Sequence, residues 1–191
     1  MKVIAINGSP RKGGNTEIML KKVLETLDKH NVETKLIQIG GQNIHGCRGC
    51  WACRKNQDRK CVFNDDMLNK ILEEVFNADA IILGTPSYFS DMTPEMKAFI
   101  DRVGVVALSN GKLLKHKIGA GIIAQRRGGG TSIQASLNHM FLMSEMIVPG
   151  STYWNLGFGK DKGEISNDIE AIDNMVNLAE NIYWLLEKIK K

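Results

Sequence analysis

The stretch VIAINGSPRKGGNT, at residues 3–16, decides the fold. Its first four residues are apolar and rich in β-branched side chains, which is typical of a strand that helices cover on both faces of a parallel sheet. A glycine-rich loop follows the strand directly, and apolar residues then recur at helical spacing over residues 18–27. This succession of strand, loop and helix predicts the first crossover of an α/β sheet.

The rest of the chain repeats this alternation. We predict further strands at Glu33–Ile39, Ala80–Gly84, Lys117–Ala124 and Met146–Val148. Helices are predicted at Asp65–Phe76, Glu95–Val103, Ser132–Ser144 and from Asp168 onward, and a polar loop at Gly150–Asn167. Because parallel crossovers are right-handed, the pattern favours a flavodoxin-like, doubly wound α/β fold with a five-stranded parallel sheet in the order 2-1-3-4-5. Ligands of such sheets bind beyond the carboxyl ends of the strands, so the loops there form the candidate site.

The composition suits a single domain over residues 1–191. A chain of this length with 43% hydrophobic residues can bury one sizeable core. No apolar run approaches the roughly 18 residues of a membrane span, and the apolar start is too short for a signal peptide. The net charge of +4 is mild and dispersed. We therefore expect a cytoplasmic protein with neither a membrane nor a nucleic acid as partner.

The loop from Gly8 to Thr16 has the chemistry of a phosphate site. Its backbone N–H groups and the positive end of the following helix dipole attract an anion. The hydroxyls of Ser9 and Thr16 and the charge of Arg11 add to that attraction. An ordinary glycine-rich turn between strand and helix is the alternative interpretation.

The spacing within this loop argues against a nucleotide hydrolase. Gly8 and Gly13 have the spacing of a P-loop, but Gly14 and Asn15 stand where that loop needs Lys and then Ser or Thr. The dinucleotide pattern G-x-G-x-x-G is also absent from the loop. We therefore expect another kind of phosphorylated ligand.

Two more loops follow predicted strands at the same edge of the sheet. Gly84 to Phe89 offers aromatic and backbone polar groups that suit a planar ring. Gln125 to Gly130 ends in consecutive glycines, which let a ligand approach the backbone closely. Each loop alone could be a plain turn. Three such loops at adjacent strand ends favour a site for one phosphorylated, planar ligand.

All 4 cysteines of the chain fall in one short basic segment. Cys47, Cys50, Cys53 and Cys61 have the spacing C-x2-C-x2-C-x7-C. Thiolates so crowded suit one [4Fe–4S] cluster better than structural zinc, which usually takes two separated C-x2-C pairs, although zinc and unligated thiols stay as alternatives. We expect an iron–sulfur loop at residues 46–62. Its charged residues are Arg48, Arg54, Lys55, Arg59 and Lys60, with Asp58 the single acid.

The motifs resemble those of the NADPH-dependent FMN reductases. The resemblance rests on Gly8-Ser9-Pro10-Arg11 with Asn15, on Pro86-Ser87-Tyr88, and on Lys97 with Asp101-Arg102. In that family the first loop holds the FMN phosphate, and the second and third loops flank the flavin ring. The resemblance therefore implies FMN contacts from Ser9, Arg11, Asn15 and Thr16 at the phosphate, from Pro86, Ser87, Tyr88 and Phe89 at the ring, and from Gly128 and Gly129 at its far edge.

The cysteine segment resembles that of the iron-sulfur flavoproteins of anaerobic microbes, in which ferredoxin is a donor. The leading hypothesis is an oxidoreductase, namely an electron-transfer flavoprotein with one FMN and one [4Fe–4S] cluster. One alternative is a NAD(P)H-dependent FMN, quinone or nitro-compound reductase without a cluster. Another is a redox-sensing or zinc-stabilised binding module.

The place of the cysteine loop in the chain predicts an oligomer. The loop follows the second strand, so we expect it at the same edge of the sheet as the flavin loops. That strand lies at the sheet margin, which puts the root of the loop about 10 Å or more from the flavin ring. We therefore expect a homodimer or homotetramer in which the cluster of one subunit approaches the FMN of another, as the resemblance also implies. The basic residues are expected to dock an acidic carrier such as ferredoxin.

Overall fold

The computed structural model describes residues 1–189, in which five parallel strands form the central sheet. The strands are β1 Lys2–Asn7, β2 Glu33–Gln38, β3 Ala80–Pro86, β4 Ile118–Gln125 and β5 Leu156–Phe158. Their order is β2-β1-β3-β4-β5, and every neighbouring pair is parallel. The predicted flavodoxin-like sheet is confirmed.

Helices cover both faces of this sheet. They are α1 Asn15–Asp28, α2 Ala52–Asn56, α3 Leu68–Asn77, α4 Pro94–Ser109, α5 Gly130–Met143 and α6 Ile169–Ile189. Successive side chains of β1 enter opposite layers. Val3 and Ala5 pack in the core beneath α1 and α6, whereas Ile4 and Ile6 pack in the core beneath α3, α4 and α5. None of the helices in residues 1–189 is long and apolar enough to cross a membrane.

The fifth strand differs from its prediction. Met146–Val148 contributes only a single bridge, between Ile147 and Ile118, because Pro149 follows and has no N–H group for a ladder. The chain then leaves the sheet and returns as β5, which completes the pairing with β4. The prediction of the fifth strand at Met146–Val148 is therefore wrong, and the real strand is too short and too rich in glycine to show a strand pattern.

Helix α4 begins against the first loop. The hydroxyl of Thr93 caps the helix by accepting a hydrogen bond from the N–H of Met96, and it donates to the carbonyl of Gly8 at 2.9 Å. Pro94 occupies the first turn, where a missing N–H costs nothing. The helix continues to Ser109, further than its sequence pattern predicted. It therefore runs from the carboxyl edge of the sheet toward the opposite edge.

The segment after β2 starts in contact with the first loop. A Cβ atom on Gly40 would lie 2.3 Å from the carbonyl carbon of Ser9, so only glycine permits this close approach. The amide of Gln38 donates hydrogen bonds to the carbonyl oxygens of Ser9 and Gly40. The root of the cysteine segment and the first loop are therefore held against each other.

Candidate functional site

A cavity of about 310 Å³ opens where the carboxyl ends of the central strands meet. We call it the rim cavity. It is also lined by Arg126 from the loop after β4, and by Gly159, Lys160 and Lys162 from the loop after β5. The structure thus brings strand-end loops together around one space. The residues of the first two loops that were predicted for one ligand and that line it are Ser9, Arg11, Asn15, Thr16, Pro86, Ser87 and Tyr88.

Buried amide side chains hold the first loop in its conformation. Asn7 Oδ1 accepts a hydrogen bond from the N–H of Ser9 at 3.0 Å, and Asn7 Nδ2 donates to Gln38 Oε1 at 2.7 Å. Gly14 precedes α1 and supplies no side-chain acceptor for the N–H groups of the first turn. These N–H groups point out of the helix end toward the loop, where they can bind an anion.

The rim cavity is positively charged. Arg11, Arg126, Lys160 and Lys162 all line it. Arg11 Nη1 donates a hydrogen bond to the carbonyl of Lys160 at 3.3 Å, which ties the loop after β5 to the first loop. The two lysines were not among the predicted residues, although a Lys-x-Lys pair stands in the predicted loop Gly150–Asn167. Four cations beside a helix N-terminus suit a phosphate dianion.

One acid borders this site and orders its loop. Glu17 accepts a hydrogen bond from the N–H of Gly13 at 2.5 Å and forms an ion pair with Lys21 at 2.8 Å. Burial alone would raise the pKa of Glu17, but the hydrogen bonds from Lys21 and Gly13 outweigh it and lower the pKa below its usual value. The ionised carboxylate therefore holds Gly13 in its left-handed conformation, with φ at 64°.

Asn15 makes contacts other than the predicted one. Its Oδ1 accepts a hydrogen bond from the N–H of Gly163 at 2.9 Å, and its Nδ2 donates to the carbonyl of Asp161 at 3.0 Å. The side chain thus fastens the loop after β5 over the rim cavity and positions Lys160 and Lys162. Direct contact between Asn15 and a phosphate stays a prediction.

The second loop supplies an aromatic wall and a protruding turn. Pro86, Ser87 and Tyr88 line the rim cavity. Phe89 is fully exposed, and with Ser90 it adopts the left-handed backbone conformation in the turn that closes after Tyr88. Phe89 is therefore not among the residues that line the rim cavity, and its contact with a flavin ring stays a prediction.

The third loop divides between two cavities. Arg126 lines the rim cavity, whereas Arg127, Gly128 and Gly129 line a neighbouring cavity of about 360 Å³. Ser87 Oγ donates a hydrogen bond to the carbonyl of Gly128 at 3.2 Å, which joins the two loops. Of these two arginines, Arg126 is the one that lines the rim cavity. The two glycines lie behind Ser87, and their predicted contact with the ring edge stays a prediction.

The four cysteines line a second, separate cavity, which we call the cysteine cavity. Arg102, Val105 and Val106 of α4 also line it. Cys53 is buried and Cys61 is half-buried, whereas the other two cysteines are exposed. Four thiols that converge on one pocket with an apolar wall fit the ligand set of an iron–sulfur cluster.

The sulfurs of the cysteines are not gathered as closely as a bound zinc ion would hold them. Tetrahedral zinc with Zn–S bonds of about 2.3 Å holds its sulfurs about 3.8 Å apart. Within residues 1–189, no three cysteine sulfurs lie within 4.8 Å of one another, and the group that does approach so closely is His45, Asp65 and Asp66. Asp66 is already paired with Arg102, so this group is not an open metal site.

The cysteine cavity lies along the second half of α4. Cys53 Sγ lies 3.8 Å from Ser109 Oγ, and Asn110 Nδ2 donates a hydrogen bond to the carbonyl of Cys53 at 3.4 Å. At 1.5 Å per residue, the stretch of helix from Thr93 to Val106 is about 20 Å long. The prediction that the cysteines share the edge of the flavin loops is therefore wrong. Only the root of the segment lies there, because contacts with α4 draw the cysteines toward the opposite edge.

A buried ion pair ties the two ends of the cysteine segment together. The side chains of Arg102 and Asp66 are 1% and 0% exposed, and they form a charge-assisted hydrogen bond. Asp66 also accepts a hydrogen bond from the N–H of His45, and Arg102 donates to the carbonyls of His45 and Phe63. Burial alone would raise the pKa of Asp66, but hydrogen bonds from His45, Arg102 and Leu68 hold it below its usual value. Asp66 was not among the predicted site residues, since no local pattern marks it.

The fold and the rim cavity together define a flavodoxin-like oxidoreductase whose chemistry is flavin-based. The family model for NADPH-dependent FMN reductase matches residues 1–161, and the chain belongs to this family. The chain is 32% identical over 198 residues to an iron-sulfur flavoprotein of Methanocaldococcus jannaschii, with 100% of each chain covered.

Solved structures share this fold. RosB, solved with its bound intermediate 8-demethyl-8-formylriboflavin-5'-phosphate, matches with a TM-score of 0.77 and 16% identity, over 100% of this chain and 80% of that one. The flavodoxin, WrbA-like protein from Agrobacterium tumefaciens matches with a TM-score of 0.66 and 17% identity, over 97% of this chain and 98% of that one. At these identities the likeness shows the fold alone.

Proposed function

We propose that this protein is an electron-transfer flavoprotein that holds FMN in the rim cavity and a [4Fe–4S] cluster on its four cysteines. The observation that carries the proposal is the convergence of all four cysteines on one cavity against α4. Four thiolates are the ligand set of a cube cluster, whereas structural zinc usually takes two separated C-x2-C pairs. The name of the relative that is 32% identical, an iron-sulfur flavoprotein, supports the same assignment. The ligands are Cys47, Cys50, Cys53 and Cys61.

The rim cavity supports FMN as its ligand. Ser9, Thr16 and the N-terminus of α1 suit a single terminal phosphate, and the surrounding arginines and lysines offset its charge. Pro86 and Tyr88 offer flat surfaces for a planar ring. The description of the matching family also names FMN. These residues would hold FMN through its phosphate at one end and its ring at the other.

The two cofactors would supply complementary chemistry. A flavin exchanges one or two electrons and a cluster exchanges one, so the pair links a one-electron carrier to a two-electron reaction. The chain itself then needs no catalytic acid or base for electron transfer. Its residues set the positions of the cofactors, the charge around them and their exposure to solvent.

Iron, sulfide and flavin analysis of anaerobically purified protein tests the proposal. We expect about four iron and four sulfide per FMN, and a broad brown absorbance shoulder beside the flavin bands. Flavin without iron would overturn the cluster and favour the reductase described next. Zinc without flavin would favour a zinc-stabilised binding module.

A NAD(P)H-dependent FMN or quinone reductase without a cluster is the second candidate. The family description, which names NADPH as the reductant, favours it. Anaerobic mixing with NADPH and, separately, with reduced ferredoxin distinguishes the two functions. Rapid bleaching of the flavin by NADPH, with no reduction by ferredoxin, would support the reductase.

We also propose ferredoxin, or a similar acidic carrier, as the electron donor. Arg54 and Lys55 lie on α2 beside the cysteines and are exposed. Neither forms an ion pair within residues 1–189, whereas Arg48 packs over the ring of Phe63 at 4.2 Å. A basic surface next to the cysteine cavity is complementary to an acidic partner.

The separation of the two cavities supports transfer between subunits of a homodimer or homotetramer. Residues of the second half of α4 line the cysteine cavity, whereas no residue of α4 lines the rim cavity. Large aromatic side chains project beside each of them: Trp51 beside the cysteines is 60% exposed, and Phe89 beside the rim cavity is fully exposed. Contact between subunits would remove such apolar surface from water.

A mixed oligomer tests this path. One chain carries Cys50→Ala, and the other carries Arg11→Ala with Asn15→Ala to weaken FMN binding. If cofactors pair across subunits, ferredoxin reduces FMN faster in the hybrid than in either parent oligomer. A monomer in solution, or a hybrid that retains both cofactors without transfer, would place the path within one chain.

A further inference from the structure

Arg102 is a buried cation in the wall of the cysteine cavity. Its side chain is 1% exposed. Nη1 donates to the carboxylate of Asp66 and to the carbonyl of His45 at 3.2 Å, and Nη2 donates to the carbonyl of Phe63 at 3.1 Å. Nε has no partner within residues 1–189. Nε is therefore a buried donor atom of the guanidinium without an acceptor in the described residues.

The cysteines offer an acceptor for this N–H group. Buried donors are nearly always hydrogen-bonded in native structures, and a charged donor is the most costly to leave unpaired. The four cysteines line the same cavity as Arg102. A guanidinium stays charged in proteins, so Arg102 is a cation in the same cavity wall as the cysteine sulfurs.

We propose that Arg102 is a positioning and tuning residue of the cluster, whose Nε–H donates a hydrogen bond to a sulfur on the Cys61 side of the cavity. This inference rests on the proposed function, because it requires the cluster. Hydrogen bonds to the sulfurs and the local charge set the potential of such clusters. A donor with a positive charge stabilises the reduced, more negative state. Arg102 thus raises the reduction potential while its bonds to His45 and Phe63 hold the segment in place.

Variants of the ion pair test the proposal, because they are expected to shift the reduction potential of the cluster in opposite directions. Asp66→Asn keeps the shape of the side chain but leaves the charge of Arg102 unopposed, so we expect a higher potential. Arg102→Met combined with Asp66→Asn removes the N–H group while the local net charge stays at zero, so a lower potential reports the lost hydrogen bond. Such paired replacement of a buried ion pair is often close to neutral for stability. Arg59→Met, an exposed change in the same segment, is the matched control.

An EPR-monitored redox titration of the anaerobically purified holoprotein measures these changes. For the double variant we expect about a tenfold loss in the equilibrium constant for one-electron reduction, which is a potential about 59 mV lower. Asp66→Asn shifts the potential in the opposite direction, and Arg59→Met leaves the equilibrium constant within about twofold of wild type. Iron and sulfide are measured on each sample, so that only loaded proteins are compared.

A spectroscopic measurement on the wild-type protein needs no variant. Growth on arginine labelled with ¹⁵N in the guanidinium places a distinguishable nucleus at Nε. A hydrogen bond from Nε to a cluster sulfur then produces ¹⁵N hyperfine coupling in the HYSCORE spectrum of the reduced protein, together with a coupled proton that exchanges in D₂O. Arg102→Lys abolishes the ¹⁵N coupling.

Two results would overturn the inference while leaving the proposed function standing. One is a double variant with full iron and sulfide content and an unchanged potential. The other is a wild-type spectrum without ¹⁵N coupling, which also decides the matter if the double variant loses its cluster. Either would reduce Arg102 to an anchor of the segment. Wild-type protein without iron would instead overturn the proposed function, and this inference with it.

Discussion

The rim cavity and the cysteine cavity are built in opposite ways. Loops from several strand ends enclose the rim cavity, and the sheet itself determines where those loops meet. The cysteine cavity belongs to one segment between β2 and α3, and the buried pair of Arg102 and Asp66 holds its ends. The position of the rim cavity is therefore set by the whole sheet. The position of the cysteine cavity is set by the few contacts that hold the ends of one segment.

The largest expected effect is the loss of the cluster from the cysteine cavity without any loss of FMN from the rim cavity. Cys50→Ala removes one of four thiolate ligands, so we expect complete loss of the cluster. The FMN content is expected to stay at the wild-type value, because Cys50 is exposed and lies outside the rim cavity. Iron, sulfide and flavin analysis measures both, with Asn56→Ala, an exposed change in the same segment outside both cavities, as the control. Loss of FMN along with iron would show that the two cavities depend on each other.

The next effect concerns the stability of the cofactor-free protein. Asp66→Ala leaves the buried guanidinium of Arg102 without its counter-ion, and we expect the free energy of unfolding to fall by about 3–5 kcal/mol. The neighbouring Asp65 is exposed, so Asp65→Ala is expected to change it by less than about 0.5 kcal/mol. Urea unfolding followed by circular dichroism measures both variants. Equal losses would contradict a special role for the buried pair.

The same carboxylate makes the stability depend on pH. The pKa of Asp66 is lowered in the folded protein, so its ionised form stabilises the fold fully above the unfolded pKa of about 3.9. This contribution is lost as the pH falls through the folded pKa. Below about pH 4, the free energy of unfolding of Asp66→Asn is therefore expected to fall less steeply with decreasing pH than that of the wild type. Urea midpoints measured from neutral to acidic pH check this, and parallel curves for the two proteins would contradict it.

The rim cavity is expected to respond more gradually. Arg11→Ala with Asn15→Ala removes one cation and releases the loop that carries Lys160 and Lys162. We expect FMN affinity to weaken about tenfold or more, which corresponds to about 1.4 kcal/mol or more. Titration of the apoprotein with FMN, followed by flavin fluorescence, measures the affinity, and Lys12→Ala in the same loop is the control. Unchanged affinity would remove the phosphate assignment.

The smallest effect concerns the surface beside the cysteine cavity. Arg54→Glu with Lys55→Glu is expected to slow electron transfer from ferredoxin severalfold at low salt, because electrostatic steering is screened by ions. The wild-type rate is expected to fall as the ionic strength rises. Lys29→Glu with Lys188→Glu makes the same change in net charge at α1 and α6, on the other face of the sheet, and is the control. If the stopped-flow rate changes neither with the charge reversal nor with the salt concentration, Arg54 and Lys55 are ordinary solvated surface residues.

The rim cavity could largely be predicted from the sequence. Buried runs such as Val3–Ile6 identify strands because a parallel sheet covered on both faces requires them. Ser9 and Tyr88 then meet in one cavity because the carboxyl ends of neighbouring strands must converge. Lys160 escaped prediction because it follows β5, and Pro149 interrupts the sequence pattern before that strand.

The cysteine cavity shows the reverse. The spacing of the cysteines predicts a ligand set, but it contains no information on where the segment lies. That place depends on Arg102 and Asp66, which are 36 residues apart, and no local pattern links residues at such a distance. Along α4, Arg102 looks like any helical charge, since its neighbour Asp101 pairs with Lys97 at the surface.

One arginine holds both ends of the cysteine segment, at His45 and at Phe63, so the segment leaves and rejoins the fold at nearly the same point. A segment with adjoining ends is a module that evolution can lengthen, shorten or delete without moving the strands or helices around it. No residue of this segment lines the rim cavity, so the strand-end loops around that cavity do not depend on the chemistry of the cysteines.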